Sequence, residues 1–163
     1  MKLLLGPCLL FLCMLGSRLA AQEGESAFKK VDFYSAMAGK NEDAINKQLG
    51  LLKTSSGTEK NAYEGALLMK KAGITGGAKK KLDLFKEGHK KLEAVLQKDS
   101  SNAEFRFLRL MIQEHAPGIL GYKSELENDS QYILKNFRKL IPVVQEAVRE
   151  YSKKSIFLKS ADL

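Results

Sequence analysis

Between Ala78 and Lys98, Leu82, Phe85, His89, Leu92 and Leu96 fall at spacings of three, four, three and four. A helix lines such positions up on one face; a strand would scatter them over both. The same period recurs through the rest of the chain, with Gly and Pro between the periodic runs rather than inside them. No alternation of β-branched residues persists over a useful length. The pattern predicts an all-α fold, an array of about six or seven helices in antiparallel hairpins, because the connections are short.

A first helix is expected over Ser26 to Ala38, with Phe28, Val31, Tyr34 and Ala38 on its apolar face. Asn41 can cap a second helix that carries Glu42 and Asp43 in its first turn and Ile45, Leu49 and Leu52 on its buried side. A third starts near Thr58 and ends at Gly73. The fourth is the long helix from Ala78 to Lys98. Ser101 with Glu104, and Ser124 with Glu127, each have the spacing of a capping box, and are expected to open the fifth and sixth helices. Pro117-Gly118 closes the fifth. Pro142 either kinks the sixth helix or starts a seventh, which carries Val144, Val148 and Tyr151.

Residues 1–21 have a basic residue, Lys2, then an apolar run from Leu3 to Leu15, then small residues at Ala20 and Ala21. That is the plan of a secretory signal peptide, and the run is shorter than the about 20 residues a spanning helix needs. Cleavage is expected after Ala21 or after Ser17. Neither Cys8 nor Cys13 has the small residue before it that lipid attachment would require. The expected product is an exported protein, periplasmic or secreted, with one helical domain over 22–154 and a flexible tail over 155–163. Both cysteines lie in the leader, so the mature part would have neither a disulfide nor a thiolate site.

The whole chain holds 27 Lys and Arg against 19 Asp and Glu. Without Lys2 and Arg18 the net charge is about +6. Seven lysines lie between Lys79 and Lys98, interleaved with Asp83, Glu87 and Glu93. This reads as a solvated face; it could also make weak contact with acidic envelope polymers or lipid headgroups. Export argues against nucleic acid as a partner.

The fifth helix is the most informative. Phe105, Phe107, Leu108, Leu110, Met111 and Ile112 cover nearly its whole circumference, which predicts burial on every side. Arg106, Arg109 and Gln113 share one stripe roughly 60° wide, at 100° per residue. Two arginines on a buried helix need partners. Either they bridge to acids on neighbouring helices, or they line an anion-binding groove with Tyr122 in the loop nearby. Glu125, Glu127 and Asp129 read as helix-start acids rather than a calcium loop. His89 reads as a packed residue. Neither it nor Glu114-His115 has a partner at metal-ligand spacing, and there is no nucleophile motif. No cofactor, metal or enzymatic activity is expected.

Residues 62–103 resemble a tetratricopeptide hairpin. Tyr63, Gly65 and Leu67 match its first helix; Phe85, Gly88, Ala94 and the turn from Asp99 to Asn102 match its second. The unit exceeds the usual about 34 residues, its turn lacks the proline, and neighbouring hairpins do not repeat it. The resemblance implies hairpin architecture rather than a repeat array. NAYEGALLMKKAG (61–73) and FRFLRLMIQEHAPGILGYKSEL (105–126) resemble uncharacterised exported helical proteins of Bacteroidetes. The function expected is a non-enzymatic interaction module. It would bind a peptide, protein or envelope component through a groove between helices, with Arg106, Arg109, Gln113 and Tyr122 lining it.

Overall fold

A computed structural model describes residues 27–163; the expected leader lies outside them. Among the described residues there are seven α-helices and no strand: α1 (Lys30–Ala38), α2 (Glu42–Thr54), α3 (Lys60–Ile74), α4 (Ala78–Lys98), α5 (Ala103–Gln113), α6 (Leu126–Asn136) and α7 (Pro142–Ser152). The all-α array is as the periodicity implies. Among the described residues no helix is long and apolar enough to cross a membrane.

Local chemistry sets most boundaries. Asn41 accepts from the backbone N–H groups of Asp43 and Ala44 and starts α2. Pro142 starts α7, its missing N–H being one that a first turn leaves unbonded anyway. Neither expected capping box forms. Asn102, not Ser101, caps α5, accepting from Glu104 N–H and Phe105 N–H. Asp99 takes the Ser101 hydroxyl instead. At α6 the N-cap position falls on Glu125, with no side-chain cap.

α5 is the central pillar, buried nearly all round. α1 differs from expectation in both start and face. It begins at Lys30, Val31 points to solvent, and Phe33, Tyr34, Ala36 and Met37 are buried. Phe33 and Met37 are four apart, so the buried face is the one that brings the ring of Phe33 within 5.0 Å of Tyr63. Phe28, in the segment before the helix, packs on the same ring at 5.2 Å.

α3 and α4 form an antiparallel hairpin turned at Thr75–Gly77, where Gly77 has φ 82°. Their backbones touch at Gly65 and Gly88: a Cβ on Gly88 would stand 2.5 Å from the Gly65 carbonyl oxygen. These two glycines are packing residues, whereas Ala94 is exposed. α5 and α6 form a second antiparallel pair.

The segment after Ser152, expected as a flexible tail, makes contacts with the helices. Leu158 is fully buried. Glu114 accepts from the Ser155 hydroxyl at 2.8 Å and from the Ile156 N–H at 2.6 Å. Ser130 donates to the Phe157 carbonyl, and Ser152 bonds Ser160 at 2.8 Å. An apolar anchor and a waiting carboxylate hold this segment against α5, α6 and α7, neither of which is visible from the segment's own composition.

Candidate functional site

The arginine stripe does come together, and it is occupied from within. Asp129 of α6 is fully buried. Its Oδ2 accepts from Arg109 Nε at 2.7 Å and its Oδ1 from Arg109 Nη2 at 2.8 Å, a two-pronged pair. Arg106 Nη1 reaches the same Oδ1 at 2.8 Å. Glu93 of α4 accepts from Arg109 Nη1 at 3.1 Å and from the Tyr122 hydroxyl. Burial pulls the Arg109 guanidinium down, but its bonds to Asp129 and Glu93 outweigh this and raise it above its ordinary value. Arg106, Arg109 and Tyr122 therefore form a structural knot joining α4, α5 and α6, with no free arginine for a ligand. Gln113 is 1% exposed and its Oε1 has no hydrogen-bond partner among the described residues. Asp129, expected as a helix-start acid, is the anion at the centre of this knot.

Two further carboxylates are similarly committed. Glu104 accepts from Lys30 Nζ at 2.7 Å and from the hydroxyls of Tyr34 and Tyr63 at 2.9 Å each, tying α1 and α3 to α5. Glu114 accepts from Tyr151 at 2.7 Å besides Ser155 and Ile156. His115 Nδ1 lies 3.1 Å from the Met111 carbonyl and 3.4 Å from the Tyr151 hydroxyl. The Ser155 hydroxyl also accepts from Phe157 N–H and Leu158 N–H. Serine, histidine and carboxylate thus lie near one another, but the serine is spent closing a turn. His89 stacks on Phe85 and meets Tyr122 edge-on at 4.6 Å. Among the described residues no group of three or more His, Cys, Asp or Glu could hold a metal ion.

The open feature is a cleft of about 540 Å³ between the turn end of the α3–α4 hairpin and the ends of α1, α5 and α7. Helix length creates it. α4 has 21 residues and α5 has 11, or roughly 31 Å against 16 Å at 1.5 Å per residue. The second half of the α4 stripe, Leu92, Val95 and Leu96, is buried, with Leu92 against Gly65 of α3 and the neighbouring Glu93 bonded to Arg109 of α5. The first half of the stripe, Leu82 and Phe85, looks into the cleft. Met69 and Met111 line it further in. Ile119, on the turn after Pro117, stands at its rim and is 95% exposed.

Charge at this cleft is one-sided. Lys40, Lys70, Lys81 and Lys154 line it and no acidic side chain does. None of the four forms an ion pair among the described residues. Lys70 is half-buried. Burial, then the nearby charges of Lys154 and Lys40, push its ammonium below the ordinary lysine value.

Sequence reasoning missed this site because its residues come from five separate segments. The one local trace is the α4 stripe, which is longer than its neighbour can cover. Neither a protein-family model, a curated protein nor a solved structure matches the chain.

Proposed function

We propose that the protein is a non-enzymatic binding module of the exported class, which takes an apolar ligand or segment into the cleft between its helices. The observation that carries this is the cleft itself: about 540 Å³, apolar-walled, and open beside an exposed isoleucine. Small-molecule sites fall in the range of roughly 300–1,000 Å³, apolar with a few polar groups at the edge. Methionines on two walls suit it to adaptable contacts. Asp129, Glu104 and Glu114 are each engaged in holding segments of the fold together. The lysine face of α4 supports the electrostatic alternative less well, since Lys79 pairs with Asp83 and Lys91 with Glu64.

Gly73 gives a test that spares the fold. It lies in α3 on the cleft wall, and a Cβ there would meet nothing within 4 Å. The protein is expected to bind the neutral fluorophore phenylnaphthylamine saturably, with a blue-shifted emission, and Gly73→Phe to abolish this without loss of helicity. Equal binding by Gly73→Phe, or no saturable binding at all, would reject the cleft as the site.

A further inference from the structure

The cleft's lysines point to a class of ligand, an inference that rests on the reading of the cleft as the binding site. We propose that the cleft holds a single-chain fatty acid, its alkyl chain along Phe85, Met69 and Met111 and its carboxylate among Lys40, Lys70 and Lys154.

Three observations converge on this. The first is the chemistry of the walls. The lining joins α4 residues left uncovered by α5 to buried methionines of α3 and α5. An apolar surface with this shape gains by taking hydrocarbon out of water, roughly in proportion to the area covered. The second is the volume. At roughly 30 Å³ per methylene, about the share of a water molecule in the liquid, a cleft of about 540 Å³ is of the order of one long alkyl chain.

The third is the charge. Lys70 is half-buried in the cleft wall, and the Lys40, Lys81 and Lys154 side chains that also line it are exposed. At the cleft, four lysines from α1's end, α3, α4 and α7's end gather with no acid among the lining residues. Lys154 and Lys40 are near enough to Lys70 to oppose its charge. A monoanion placed among them relieves that repulsion and is held by it; a cation would add to it. Lysine acts as a point charge and holds an anion without a fixed fork geometry; no arginine lines the cleft.

The test displaces bound phenylnaphthylamine from the full-length protein with dodecanoate, dodecanol, dodecyl phosphate or dodecyltrimethylammonium, each below its micellar concentration. Dodecanoate is expected to bind at least about tenfold more tightly than dodecanol, a ratio that short-range charge attraction readily supplies. The pair of changes Lys70→Met and Lys154→Met is expected to abolish that preference, so that dodecanoate no longer binds more tightly than dodecanol to the same variant. Equal binding of dodecanoate and dodecanol overturns the fatty-acid inference and leaves the cleft reading standing. So does tighter binding of the phosphate or the cation, or retention of the preference in the double variant. Failure of the fluorophore to bind at all removes both readings together.

Discussion

At the scale of single residues, the fold hangs on carboxylates that each collect several donors. Asp129 is the extreme case, with two arginines on a fully buried side chain. Forming such a knot costs desolvation on both sides, but removing the anion strands charge in the interior. Asp129→Ala is therefore expected to lower stability by about 3–5 kcal/mol, read from urea denaturation. A cost below about 1 kcal/mol would show the arginines to be solvated, as surface pairs are. The arginine stripe was legible from helical spacing, and so was the need for partners. The identity of the partner was not, because Asp129 lies in an acidic run that equally suits a helix start.

The hydroxyls around these carboxylates carry a pH dependence. Burial first, then the bonded carboxylates, raise the phenols of Tyr34, Tyr63, Tyr122 and Tyr151 above the ordinary 10.0. The unfolded chain loses these protons from about pH 10 upward while the folded chain keeps them. Their contribution to stability is thus complete below pH 10 and is lost as pH rises beyond it. The urea midpoint is expected to fall steeply above pH 10, with phenolate absorbance rising only as the protein unfolds. Phenolate signal from these four tyrosines in folded protein near pH 10 would contradict the assigned hydrogen bonds.

At the scale of elements, one glycine of α4 and one of α3 should respond with opposite signs to neighbours they do or do not have. Gly88 of α4 sits against the Gly65 backbone, so Gly88→Ala must push the helices apart; it is expected to cost about 1–3 kcal/mol. Gly73→Ala, in open space on α3, is expected to add about 0.5 kcal/mol by removing freedom from the unfolded chain. Thermal melts of the two variants check both signs, and a destabilising Gly73→Ala would contradict the open wall of the cleft. The helices themselves were largely legible, since period, prolines and glycines act within a few residues. The caps were less so. Ser101 and Glu104 satisfy the spacing of a box, yet Glu104 is drawn to Lys30, Tyr34 and Tyr63, and Asn102 takes over the cap. A long-range bond between charged or buried groups outweighs a local one of about 1 kcal/mol.

At the scale of the whole molecule, the sequence by itself determined that the described part is helical and where most helices begin and end. It also determined that α5 is central: a helix apolar on every side has nowhere to go but inside. Those properties depend on interactions between residues near in the chain. Only the tertiary structure decided which acid meets which arginine, which face of α1 turns inward, and that Leu158 anchors the last segment. It alone also produced the cleft, which arises from the mismatch between the lengths of α4 and α5 and collects lysines from segments more than 100 residues apart, from Lys40 to Lys154. Burial and electrostatic pairing depend on what is near in space, and no local pattern encodes that distance.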